Sequence, residues 1–193
     1  MEGKITRVPS EKNFFFIDND YWCHYNSYNR EPVEGDIVSY EKETKSDGKK
    51  FAGKVKYVRS PESPFTAYLK ELDEGYFANN QLKKEFIIDF PQELVKIFQS
   101  DSNKNKPSQI RRFYDQCKTK IEGRYRLTGD FEWVKKELLL IIPIVSGAKN
   151  KGHVTNEFFM FMEKNINEAV KSPVDFVDGF IPHFQSIIGY YNH

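Results

Sequence analysis

The sequence predicts an α+β protein of two domains, a small five-stranded β-barrel over residues 1–59 followed by a helical bundle over residues 107–193. Three observations carry that prediction. Short runs rich in β-branched and aromatic residues crowd the first sixty positions, separated by turn-forming clusters. Ser60-Pro61-Glu62-Ser63-Pro64 then interrupts any regular pattern. From Ser108 onward, apolar residues recur with the helical period.

The strands are expected at residues 4–8, 14–17, 21–25, 36–40 and 51–58. Between them lie Pro9-Ser10, Asp18-Asn19-Asp20, Glu34-Gly35-Asp36 and Ser46-Asp47-Gly48, all good turn formers. Five strands in so short a stretch are expected to close on themselves, which removes exposed edges. Residues 60–106 read as a linker with short elements: one strand and one short helix within 65–82, a helix over 90–98 with Pro91 in its first turn, and a polar loop over 100–107. Ser108 is the expected N-cap of the first bundle helix, whose buried face is Ile110, Phe113, Tyr114, Cys117 and Ile121. Asp130 caps the second, with Phe131, Val134, Leu138, Ile141, Ile142 and Val145 turned inward. A third helix is expected over 155–170 and a fourth over 173–191, with Pro173 in its first turn.

Composition narrows the function. The chain has 193 residues, 39% of them hydrophobic and 30% charged, which suits a folded globular protein. No apolar run approaches the roughly 18 residues that a membrane span needs. The first residues, Met1-Glu2-Gly3-Lys4, lack the apolar stretch of a signal peptide, so the cytoplasm is the expected location. Cys23 and Cys117 are too few for a disulfide framework or a four-cysteine zinc site, and His24, His153, His183 and His193 lack metal-ligand spacing. Cys23 and His24 are adjacent on a strand and point to opposite faces, so they cannot act as nucleophile and base. No cofactor and no catalytic activity are expected.

The net charge of +1 is a cancellation. Residues 102–126 hold eight basic side chains (Lys104, Lys106, Arg111, Arg112, Lys118, Lys120, Arg124 and Arg126) against Asp115 and Glu122, a net of +6. Residues 1–100 and 127–193 are each slightly acidic. Such a stripe predicts a localised phosphate contact, with Arg111 and Lys118 on one helix face. Aromatics are the second anomaly, since seven of the sixteen residues from Asn13 to Tyr28 are Phe, Tyr or Trp. Phe14 and Phe16 lie two apart and share a strand face, as do Trp22 and His24. Four rings on one curved sheet make a stacking platform, worth about 1–3 kcal/mol per base, with Lys12 at its rim for phosphate.

The first sixty residues resemble a cold-shock domain, a barrel of the oligonucleotide-binding (OB) type. Lys12-Asn13-Phe14-Phe15-Phe16-Ile17 matches the family's first RNA-binding motif, and Tyr21-Trp22-Cys23-His24-Tyr25 matches the second. Gly3 precedes Lys12 by the nine positions that the family uses, and the stretches starting at Gly35 and Phe51 resemble its later strands. Asn13 and Phe15 replace glycines of the first motif, and Arg7 stands where the family has an aromatic. The resemblance implies single-stranded RNA contact by Arg7, Lys12, Phe14, Phe16, Trp22 and His24.

The last ninety residues are similar to the small subunit of type III-A CRISPR effector (Csm) complexes. Lys106-Pro107-Ser108-Gln109-Ile110-Arg111-Arg112-Phe113 is close to that family's Thr-Thr-Ser-Gln-Ile-Arg-Lys-Phe opening. Val145-Ser146-Gly147-Ala148-Lys149 and Phe158-Phe159-Met160-Phe161-Met162 fit its later helices, with Lys149 in place of an arginine. The resemblance implies a non-catalytic subunit that stacks in a filament with other effector subunits and contacts guide and target RNA through Gln109, Arg111, Arg112, Lys149 and Lys151. Two other functions stay open at this point: a free-standing RNA chaperone or regulator, and a protein-interaction scaffold with a degenerate barrel.

Overall fold

Two residues in the left-handed region, Asp18 (φ 53°) and Asn19 (φ 62°), turn the chain between its second and third strands, and Asp20 N–H donates to the Ile17 carbonyl at 3.1 Å. Asn and Asp tolerate that conformation, and two successive positive φ angles give the turn whose twist suits a hairpin. The structure, a computed structural model, describes residues 1–10, 12–45, 48–60 and 62–191, and divides into the units Met1–Glu62 and Ser63–His193. Ser46 and Asp47 of the last predicted turn, Pro61 and His193 lie outside the described residues.

The first unit has five strands: β1 (Glu2–Arg7), β2 (Phe14–Ile17), β3 (Tyr21–His24), β4 (Ile37–Thr44) and β5 (Lys50–Arg59). Their order is β1-β2-β3-β5-β4, and β4 pairs again with β1, so the sheet closes on itself. Only β3 and β5 run parallel; the other pairs are antiparallel. Alternation sends Ile5, Phe15, Ile17, Cys23, Val38, Tyr40, Ala52 and Val55 into a single core. Gly3 is required where β1 passes the hairpin: a Cβ there would run into Asp18 Oδ2 and stand 2.7 Å from Tyr40. Asp18 accepts from Lys4 N–H at 2.8 Å and from the Tyr40 hydroxyl at 3.1 Å. Burial and that carboxylate push the Tyr40 phenol up to about 12.

In the second unit, α1 (Pro64–Asp73) starts on the Ser63 hydroxyl, which accepts from Thr66 N–H at 3.0 Å. A small hairpin follows, β6 (Phe77–Ala78) and β7 (Gln81–Leu82), turned by Asn79 and Asn80 at positive φ. Then come α2 (Asp89–Phe98), α3 (Pro107–Asp115), a π-helical segment (Gln116–Glu122), α4 (Gly123–Thr128), α5 (Phe131–Asn150) and α6 (Asn156–Ala169). A second π-helical segment (Asp175–Phe180) leads into α7 (Ile181–Tyr191). Asp130 and Thr155 cap α5 and α6, accepting from Trp133 and Phe158 N–H at 3.0 and 3.2 Å. Among the described residues, no helix is long and apolar enough to cross a membrane.

An α+β chain with a five-stranded sheet and then helices is what the sequence predicts, but two details need correction. Residues 60–106 are not a linker: Tyr68, Leu72, Tyr76, Phe86, Leu94 and Phe98 are buried in the helical core with Phe158, Phe161, Phe180 and Phe184. Even their polar loop is pinned. Asn105 is 2% exposed and donates to the Phe98 carbonyl and the Thr155 hydroxyl, accepts from Thr155 N–H, and its carbonyl accepts from Tyr191. Nor is Ser108 the N-cap of α3. The helix begins at Pro107, whose fixed φ and missing N–H suit the first helical position, and Lys106 takes the cap place without a side-chain bond.

On α7, His183 is fully buried, with Nδ1 at 2.6 Å from the Phe86 carbonyl and Nε2 at 3.1 Å from the Tyr68 hydroxyl of α1. Asn165 donates to Tyr68 at 2.5 Å and accepts from Tyr76 at 2.8 Å. With Nδ1 donating and Nε2 accepting, every member is satisfied by a neutral imidazole. Burial pushes its pKa down to about 4.

Candidate nucleic-acid interfaces

Strand register decides what the first unit presents to solvent. Phe14 stands opposite His24, and Phe16 opposite Trp22, while Phe15 and Cys23 between them face the core. All four predicted rings therefore share the outer face of β2 and β3, each half-buried. Phe14 and Phe16 meet edge to face at 5.6 Å, and Lys12 Nζ stands 5.6 Å from the Phe14 ring. Arg7 lies opposite Phe16 on β1, exposed, so it joins the same face. His24 accepts from Asn26 N–H through Nδ1 at 3.3 Å, which makes Nε2 the donor nitrogen of its neutral ring. Asn13 does not adopt positive φ, so its replacement of a glycine costs no backbone strain.

Sequence reasoning missed two neighbours. Phe51 of β5 lies opposite Trp22, with ring centroids 4.7 Å apart, and Lys45 Nζ stands 5.0 Å from the Trp22 ring and 5.2 Å from Phe51. No local signal pairs Phe51 with Trp22, because the pairing is parallel and spans 29 positions.

In the second unit, α3 and the π-helical segment after it face the C-terminal half of α5 across a groove of about 840 Å³. Gln109, Arg112 and Lys151 line it, together with Ser108, Gln116 and His153. Phe113, Pro143, Ile144 and Ala148 give it an apolar share of its lining. Pro143 sits inside α5 and withholds one helical hydrogen bond there. Three of the six predicted bundle residues thus converge on one concave surface.

The other three do not. Arg111 is exposed and outside the groove. Lys149 turns to the Phe159 ring, 4.2 Å from its centroid. Lys118 pairs at 2.6 Å with Glu122, a carboxylate only 1% exposed, which also receives Arg126. The four-residue spacing of Lys118, Glu122 and Arg126 was visible in the sequence as an ion-pair pattern. What was not visible is that Glu122 is buried. Arg124 lies on the Trp133 ring at 4.2 Å and Lys104 pairs with Asp101 at 3.2 Å. With Lys106, which donates to the Ser102 carbonyl at 2.6 Å, five of the eight cations in the basic stretch are engaged within the unit, and Arg112 is the one that reaches the groove.

The groove is built by α3 and α5, which lie within the part of the chain that the Csm2 Type III-A family model matches, residues 81–193. The chain belongs to that family. It is a small subunit of a type III-A CRISPR Csm complex, and membership implies association with other Csm subunits. The Csm2 match begins at β7, well ahead of residue 107, so α2 belongs to the family region as well as to the core. The five-stranded unit lies outside it. No curated protein matches the chain.

Cys23 and Cys117 are both fully buried, and burial pushes their thiols up to about 11 and about 12. Among the described residues, no three His, Cys, Asp or Glu side chains are grouped to hold a metal ion.

Proposed function

We propose that the chain is a non-catalytic RNA-binding subunit of the cytoplasmic Csm complex, with its helical unit against the backbone of the guide–target duplex and its five-stranded unit on single-stranded RNA. The observation that carries this reading is the convergence of Gln109, Arg112 and Lys151 on one groove inside the Csm2 region. An arginine and a lysine across a concave surface suit phosphate oxygens, and contacts of this kind ignore base sequence. Arg111, Lys149 and Lys118 take lesser parts, since Lys149 and Lys118 are held by their own neighbours. Copies stacked as a filament would repeat the groove along the duplex.

For the first unit, the closed strand order and the outward Phe14, Phe16, Trp22 and His24 support an OB-type barrel with kinship to cold-shock domains. Rings of this kind stack on any base, so the single strand would be held without sequence preference.

Salt titrations with a labelled RNA duplex test the groove. Arg112→Ala is expected to weaken binding several-fold and to flatten the dependence of log affinity on log salt by about one phosphate contact. Lys118→Ala, which removes a cation already paired with Glu122, is expected to change both much less. Equal effects from the two variants would overturn the assignment of the groove.

A further inference from the structure

Outward residues of the sheet form a row that continues past the two sequence motifs. Reading across the strands, Arg7 of β1 faces Phe16 of β2, Phe16 faces Trp22 of β3, Trp22 faces Phe51 of β5, and Phe51 faces Glu43 of β4. Trp22 and Phe51 meet edge to face at 72°, so they present one continuous apolar surface. The Trp22 Nε1 atom is buried and has no hydrogen-bond partner, so this indole offers its face rather than a donor. Lys45, just beyond β4, places its ammonium about equally over both rings.

We infer that the single-strand track of the barrel runs along this row and extends onto β5, with Phe51 as a further base-stacking ring and Lys45 as its phosphate contact. The inference rests on the single-strand reading of the five-stranded unit and adds to it a footprint and a direction. A flat, apolar ring system overhung by a cation suits a ligand with planar bases and an anionic backbone. In the free protein the ammonium of Lys45 covers the ring faces. When a base stacks there, the four-carbon stem lets it swing outward to the phosphate. Charge then sets both ends of the track. Arg7 is cationic at the β1 end, while Glu43 at the β4 end is acidic and repels a backbone that would continue. Glu43 lies across Gly53, where a Cβ would stand within 2.8 Å of its Cδ carbon, so the absence of a side chain at that position gives the carboxylate its place.

Fluorescence anisotropy of a short labelled oligouridylate tests the extension on the full chain, with Arg112→Ala and Lys151→Ala in every variant to suppress binding by the helical unit. Phe51→Ala is expected to weaken affinity about tenfold. Phe51→Leu, which keeps most of the apolar volume, should lose nearly as much if stacking is the cause, and it guards against a folding defect. Lys45→Gln is expected to lower the slope of log affinity against log salt by about 0.7. If Phe16→Ala weakens binding while the Phe51 and Lys45 variants do not, the extension is wrong and the two-strand platform stands. If Phe16→Ala also leaves affinity unchanged, the single-strand reading itself falls.

Discussion

The two units use the same residue type in opposite directions. In the five-stranded unit Phe14, Phe16, Trp22 and Phe51 stand on the outside, and the core is made mainly of smaller side chains around Phe15. In the helical unit Phe86, Phe98, Phe158, Phe161, Phe180 and Phe184 are all fully buried, and the candidate site is lined by polar and cationic groups beside apolar ones. An aromatic content of 16% is therefore divided between a packed core in one unit and an outward sheet face in the other. Composition alone could not divide them; strand alternation and helical period do.

The same substitution in each unit gives the strongest test of that contrast. Phe161→Ala removes a ring that packs against Tyr68, Phe98, Phe158 and Phe184, and should cost about 3–5 kcal/mol in denaturant unfolding. Phe16→Ala, on the outer face, should cost under about 1 kcal/mol by the same measurement, its effect appearing in oligonucleotide affinity instead. Comparable losses of stability would break the comparison.

Acid should separate the units next. His183 is held neutral, with its folded pKa near 4 against an ordinary value of 6.5. The unfolded chain therefore binds a proton first as pH falls. Stability from this group is complete above about pH 6.5, declines below it, and is spent near pH 4, with a ceiling of about 3 kcal/mol. His24, in the other unit, is half-exposed. Urea midpoints for the helical transition should drop between pH 7 and pH 5, and His183→Gln should flatten that drop. An unchanged midpoint would mean that the imidazole is not held neutral. The smallest effect is expected at a cap: Asp130→Ala should lower helical stability by about 1 kcal/mol through the lost bond to Trp133 N–H, with no change in RNA affinity.

What was legible in the sequence was local. Period-two alternation is a property of neighbouring residues, so Phe14, Phe16, Trp22 and His24 could be assigned to one face before any register was known. The turn at Asp18-Asn19-Asp20 and the cap at Asp130 are written in a few consecutive residues each. The misreadings needed partners far along the chain. Residues 60–106 looked like a linker because α1 and α2 are short and carry proline in their first turns, and what holds them is contact with Phe158, Phe161 and His183, 60 to 115 residues on. In the basic stretch, charge could be counted but not its engagement, since pairing to a buried Glu122 depends on how the π-helical segment sets that side chain. Lys149 and Lys151 are two positions apart, yet one lies on a ring of α6 and the other reaches the groove.

The chain has two tryptophans, and they fall one to each unit: Trp22 on the sheet under Lys45, and Trp133 at the start of α5 under Arg124. Each indole has a cation against its face, so loss of that contact changes the surroundings of the ring. Replacing Trp133 with phenylalanine leaves an intrinsic emission that reports on the sheet alone, and replacing Trp22 leaves one that reports on the helices. The molecule thus carries its own pair of optical labels, by which the unfolding of each unit can be followed separately in one and the same sample series without attaching a dye.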